Sequence, residues 1–274
     1  MIKLPITNGM KLAIDFAGNS NDQAVIFFHG GGQTRHAWGE ALEVLANEGY
    51  FAATVDLRGH GHSDWAEDGN YRLDAFADDI IKLCAMFERK PILVGASLGG
   101  LSSLLAIGGA DTDIARALVL VDIVPKVNTV GTDHIKDFMS ASPNGFASLE
   151  EAADAIAAYT PQRKRRKDLS GLSKNLRLHD NGRYYWHWDP QFLASSNQIN
   201  PENTLNIATD NIRVPVLLVR GEKSDVVDDS GVADFLQRIP HAEYVQVSGA
   251  AHMIAGDSNQ QFNQVVLEFL DKHK

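Results

Sequence analysis

The sequence predicts an α/β protein, a mostly parallel sheet flanked by helices, with a helical cap inserted after the sixth strand. Three observations carry this. Short runs of Val, Ile, Leu and aromatic residues, each closed by a turn residue, alternate with stretches of helical periodicity, the pattern of a parallel sheet covered on both faces. The alternation stops between about Pro125 and Ile212, where the chain turns polar and loses its strand-like runs. Beyond that point two further apolar runs resume it. A chain of 274 residues with 44% hydrophobic and 22% charged residues can bury a substantial core as one domain.

In chain order, Lys11 to Phe16 reads as an antiparallel edge strand. Ala24 to Phe28, Phe51 to Val55, Pro91 to Val94 and Ala117 to Val121 read as buried strands, as do Val214 to Val219 and Ala242 to Val247. Helices are expected at His36 to Asn47, Leu73 to Phe87, Leu98 to Ile107, Ser230 to Arg238 and Gln260 to Leu270. In the second of these, Phe76, Ile80, Leu83 and Phe87 recur on one face. The expected division is a core of residues 1–124 and 213–274 and a cap of residues 125–212, with helices at Leu149 to Tyr159 and Pro161 to Leu169. A cap over the carboxyl edge of the sheet would stand where open α/β sheets bind ligands.

Composition narrows the function classes. A formal charge of −10 argues against general affinity for nucleic acid or anionic membranes. The basic run Arg163 to Lys167 reads as a solvated helix face. Cys84 is the sole cysteine, which excludes an intrachain disulfide, and its place in a helix suits a small packing residue. Neither a secretory signal nor a bilayer-length apolar run is visible, so a cytoplasmic location is expected. No P-loop, dinucleotide fingerprint or zinc-type spacing occurs, so no metal or other cofactor is expected. The oligomeric state is open.

The chemistry concentrates at Gly95-Ala96-Ser97-Leu98-Gly99-Gly100, between a strand and a helix. Gly-x-Ser-x-Gly in that setting is a nucleophile elbow, with the serine on a strained turn at a helix N-terminus. His29-Gly30-Gly31-Gly32 follows an earlier strand and can bring backbone N–H groups to the reaction centre. An oxyanion hole needs two such donors; the amide of Leu98 is one candidate, and Gly31, with Gly30 as the alternative, the other. His252 follows the last strand and can serve as general base. His29, His60, His62 and His134 are its rivals, and the order nucleophile, acid, histidine selects His252. For the acid, Asp225 is preferred from its place after the penultimate strand. Asp122 is the main rival, and Glu222 and Asp228 are weaker ones. Trp186 and Trp188, in the aromatic run Tyr184 to Asp189, and Trp38 beyond the glycines are candidate substrate-binding residues, with Gly30 beside them. Packing is the competing role for all three tryptophans.

With the elbow, Asp56-Leu57-Arg58-Gly59-His60-Gly61-His62-Ser63, Gly221-Glu222-Lys223-Ser224-Asp225 and Gly249-Ala250-Ala251-His252 complete a set that resembles the α/β-hydrolase superfamily. The likeness is to its cofactor-free serine esterase and lactonase-like members with a helical cap, and it covers residues 11–124 and 213–272. It implies a triad of Ser97, Asp225 and His252, oxyanion amides at Gly31 and Leu98, and a small-molecule ester or lactone as substrate. Asp56 and Arg58 are implied to shape their loop. Relatives with an aspartate nucleophile are excluded by Ser97. Perhydrolases more often carry a bulky residue where Gly31 stands. C–C bond hydrolysis, thioester cleavage and perhydrolysis share the triad, and a non-catalytic ligand-binding module is the reading from another class.

Overall fold

The computed structural model describes the chain except residues 7–8, 161–167, 197–201, 253 and 255–258. Eight strands form the main sheet, in the order β1-β2-β4-β3-β5-β6-β9-β10. These are β1 (Ile2–Pro5), β2 (Lys11–Ala17), β3 (Gln23–Phe28), β4 (Tyr50–Val55), β5 (Ile92–Ala96), β6 (Ala117–Val121), β9 (Val216–Gly221) and β10 (Glu243–Val247). Only β1–β2 and β2–β4 pair antiparallel; the other neighbours are parallel. The fold class is the one the sequence predicts. Strand β1 is an addition, too short and too exposed to declare itself by apolar content.

Strand alternation divides the core into two layers. Val25 and Phe27 face one side, where α1 (Gly39–Asn47) and α9 (Asn259–Lys272) contribute Leu45, Phe262, Val266 and Phe269. Ile26 and Phe28 face the other, against α2 (Leu73–Cys84), α3 (Leu98–Gly109) and α8 (Asp229–Arg238). Phe76, Ile80 and Leu83 of α2 are all buried, as their spacing requires. That helix ends at Cys84, short of Phe87; the Cys84 thiol is buried, which pushes it up to about 12.

Trp38 corrects an expectation. Offered by the sequence as a substrate-binding residue, it lies fully buried beside Phe27 and Phe262, with ring centroids 5.3 and 5.8 Å apart. A 3-10 turn over Arg35–Trp38 carries it from the glycine loop into the α1/α9 layer, and it is core.

Between β6 and β9 the chain forms α4 (Thr129–Ser140), α5 (Leu149–Tyr159), a small hairpin of β7 (Leu176–Leu178) and β8 (Tyr184–Trp186), α6 (Pro190–Ser196) and α7 (Glu202–Asp210). Local signals start these helices: Asn128 accepts from the Val130 amide, and Ser148 accepts from that of Glu151. Helix α5 has the bounds expected, whereas the second expected helix falls largely outside the described residues, with the basic run 163–167. Helix α7 packs on α3 and adds Leu205 and Ala208 to the core layer, so the inserted stretch does not lie wholly over the sheet edge. Among the described residues no helix is long and apolar enough to cross a membrane.

Candidate active site

Ser97, Asp122, Asp225 and His252 each sit in a loop at the carboxyl end of a strand, after β5, β6, β9 and β10, with His29 after β3, whereas the rival His134 lies within α4. Parallel pairing of β3, β5, β6, β9 and β10 brings these ends to one edge.

Ser97 has φ 46° and ψ −116°, a strained conformation for a residue with a side chain. Its surroundings explain the glycines. A Cβ on Gly95 would fall 2.6 Å from the Gly100 backbone, and one on Gly99 only 2.4 Å from the Phe28 carbonyl oxygen. Strand and helix can meet this tightly only without those side chains. The Gly99 amide donates to the His29 carbonyl at 3.1 Å, tying the elbow to the glycine loop. Ser97 faces that loop across Gly30, where an added Cβ would lie 3.2 Å from the serine Cβ.

The carboxylate beside the imidazole is not that of the preferred candidate. The carboxylate bonded to His252 belongs to Asp122, whose Oδ2 lies 2.7 Å from Nδ1 of the imidazole. Asp122 is fully buried, and a φ of 51° at the end of β6 turns its side chain along the sheet edge. Its Oδ1 accepts from the Gly221 amide at 2.9 Å, and its Oδ2 also accepts from the Ser224 hydroxyl at 2.5 Å. Ser224 in turn accepts from the amides of Val226 and Val227. Asp225 stands exposed to solvent, with its backbone carbonyl against Gly131. The β9 loop thus supplies a supporting hydroxyl where the sequence suggested the acid. Glu222 is also exposed and accepts from the Gly249 amide, while Asp228 caps α8 through the Gly231 amide.

The amides sort the oxyanion candidates. The Gly30 amide donates to Gln33 Oε1 at 3.0 Å and the Gly32 amide to His60 Nε2 at 3.1 Å. Those of Gly31 and Leu98 have no partner among the described residues. Over this loop lie side chains of the inserted segment. Phe192 is 3.5 Å from where a Gly31 Cβ would be, and Met139 and Trp188 lie 3.0 and 3.3 Å from that position on Gly32. Trp188 therefore reaches the loop. Trp186 stacks on Trp188 at 5.0 Å and packs edge-on to Phe146, within the inserted segment's own cluster. The sequence pointed to the aromatic run but gave no sign of Met139 or Phe192, which belong to ordinary helical patterns.

Buried polar groups hold the neighbouring loops. Asp56 accepts from the Arg35 amide and guanidinium and from the His62 amide, at 2.6–2.8 Å. Arg58 makes a two-point pair with Asp79 at 2.6 Å. Three further histidines are buried here: His29, His60 and His187. Burial lowers the pKa of each, that of His60 to about 3. Below the ordinary value of 6.5 the unfolded chain therefore binds protons that the native state refuses. Stability from these groups is complete above that value and declines as pH falls. Between about pH 6.5 and 5, unfolding free energy should fall by up to about 1.4 kcal/mol per pH unit through His60, with His29 and His187 acting in the same direction. Denaturant titrations across that window check this, and a flat profile would contradict it. Among the described residues no cluster of three His, Cys, Asp or Glu is arranged to hold a metal ion.

A family model described as the alpha/beta hydrolase fold matches residues 23–258. An esterase of Mycobacterium tuberculosis is 30% identical over 261 residues, 90% of this chain and 82% of that protein. The 2-(acetamidomethylene)succinate hydrolase of Mesorhizobium japonicum is 28% identical over 95% of this chain and 92% of its own. Among solved structures, one of an E-2-(acetamidomethylene)succinate hydrolase superposes with a TM-score of 0.87, at 25% identity and 98% coverage of both chains.

Proposed function

The chain belongs to the α/β-hydrolase family and is a hydrolase of small molecules, and from that premise we propose that it cleaves carboxylic esters, lactones included, through an acyl-enzyme on Ser97. The observation that carries this reading is the 2.7 Å bond between His252 Nδ1 and buried Asp122, at the same sheet edge as a strained serine, with the Gly31 and Leu98 amides unpartnered among the described residues. An acceptor on Nδ1 keeps the proton there and leaves Nε2 free as the base. His252 then takes the Ser97 proton as Oγ attacks the carbonyl. The amides of Gly31 and Leu98 receive the oxyanion, and Nε2–H returns the proton to the leaving alcohol. Water repeats the sequence on the acyl group. Asp122 stabilises the imidazolium in both steps. No step needs a metal or cofactor.

The inserted segment acts as the cap, and Met139, Trp188 and Phe192 form an apolar roof beside the reacting carbonyl. Such a wall favours an uncharged acyl or alcohol group, because an unpaired carboxylate would lose its hydration there. The esterase among the relatives agrees with this reading. The superposition at a TM-score of 0.87 favours a second one, hydrolysis of an amide-bearing dicarboxylate such as (acetamidomethylene)succinate. That substrate would need cationic partners that the roof residues named here do not offer.

A panel of nitrophenyl acetate, butyrate and octanoate, a lactone and (acetamidomethylene)succinate separates the readings. The expected result is steady turnover of the esters and stoichiometric inactivation by a fluorophosphonate. Turnover of the dicarboxylate alone would replace the ester reading with the second. Binding without turnover of any member would make the chain a ligand-binding module.

A further inference from the structure

Three glycines in succession hold their backbone poorly, since nothing but hydrogen bonds restrains them. Here three neutral imidazoles supply that restraint, one to each successive peptide. His29 Nε2 accepts from the Leu57 amide at 3.0 Å, so its proton is on Nδ1 and is donated to the Gly30 carbonyl at 2.7 Å. That carbonyl shares its peptide with the Gly31 N–H. His60 Nε2 accepts from the Gly32 amide at 3.1 Å, so its Nδ1–H donates to the Arg58 carbonyl at 2.9 Å. His187 is wired the opposite way. Its Nδ1 accepts from the Gly61 amide at 2.8 Å, which places the proton on Nε2, donated to the Gly32 carbonyl at 3.2 Å.

The third imidazole comes from the inserted segment, not from the sheet. The same stretch is fastened to the loop that carries His60: the Asp189 amide donates to the Gly59 carbonyl, the Tyr71 hydroxyl to Asp189, and Arg177 to the Gly61 carbonyl. Gly32 itself has φ +72°, a conformation that leaves this turn to glycine. His29 sets the direction of the peptide that carries the Gly31 N–H, and the two imidazoles on Gly32 hold the residue that follows it, so the loop is set before substrate arrives.

We propose that His187 is a positioning residue for the oxyanion hole, through which docking of the inserted segment completes the loop that presents the Gly31 amide. The segment then does more than roof the substrate; it sets the catalytic geometry of the sheet edge. The inference rests on Gly31 being an oxyanion donor, and its test includes a readout that needs no catalysis.

Two variants divide the two bonds of His187. His187→Asn places a short side-chain acceptor where Nδ1 receives the Gly61 amide but cannot reach Gly32. His187→Gln reaches Gly32 with an amide donor and gives up Gly61. Expected for nitrophenyl butyrate is a kcat about 30- to 100-fold lower in the Asn variant with KM within about twofold, because a misplaced donor weakens only the transition state. The Gln variant should retain kcat within about fivefold of wild type. Equal losses in both, or a change confined to KM, would overturn the proposal. Long-range proton–nitrogen NMR of the unmodified protein reads the tautomers directly, whatever the variants' folding or the ester activity. The expected result is Nε2–H at His187 and Nδ1–H at His29 and His60; Nδ1–H at His187 would remove the bond to Gly32 and the proposal with it. Ester turnover by wild type tests the oxyanion reading separately.

Discussion

Ser97→Ala should lower kcat for an activated ester by about six orders of magnitude while the protein stays folded. The size follows from the absence of any substitute nucleophile: the alanine keeps the backbone, the helix N-terminus and both oxyanion amides but has no oxygen to acylate. What survives should be the modest acceleration that binding and the oxyanion hole give to direct attack by water, about 10³- to 10⁴-fold over the uncatalysed rate. Folding should be unaffected, because the φ of 46° is imposed by the close packing of Gly95, Gly99 and Gly100, not by the hydroxyl. Steady-state turnover and the thermal midpoint, measured on one preparation, check both halves. Activity within a factor of ten of wild type would remove Ser97 from the mechanism.

Asp122→Asn should cost about 10⁴ in kcat, and Asp225→Asn no more than about threefold. The carboxylate of Asp122 only accepts, so the proton on His252 is held at Nδ1. Its Oδ1 is already committed to the Gly221 amide, so an asparagine would keep its oxygen there and turn its NH₂ toward the imidazole. Nδ1 would then have to accept, Nε2 would carry the proton, and the base could no longer take one from Ser97. The NH₂ would also oppose the Ser224 hydroxyl, which now donates to Oδ2, so that hydroxyl must reorient. Asp225 is exposed, and its loss leaves these contacts intact. A larger loss in Asp225→Asn than in Asp122→Asn would restore the order expected from sequence.

Legibility followed local constraint. The strained elbow at Ser97 was readable because it cannot close unless Gly95 and Gly99 lack side chains, a demand written at fixed spacing. Chain order singled out, among ten histidines, the one that bonds a carboxylate at the sheet edge. The identity of that carboxylate was not legible, because the loops after β6 and β9 open at the same edge. What separates Asp122 from Asp225 is a backbone angle at one residue and a hydroxyl at Ser224, neither of which has a pattern. Trp38 went wrong for a similar reason: a single turn decides which face of the sheet an aromatic residue joins. His60 and His187 bond backbone atoms distant in sequence, 28 residues away for His60 and 155 for His187, so no motif could announce their meeting at Gly32.

The central claim is that an acyl group passes through Ser97. Rapid-quench mass spectrometry during hydrolysis of nitrophenyl butyrate tests it without any variant. The account predicts a butyryl adduct on the peptide containing Ser97, formed in a burst of nitrophenol and lost at the steady-state rate. Turnover with the adduct on another residue, or with no adduct while a burst is seen, would contradict it.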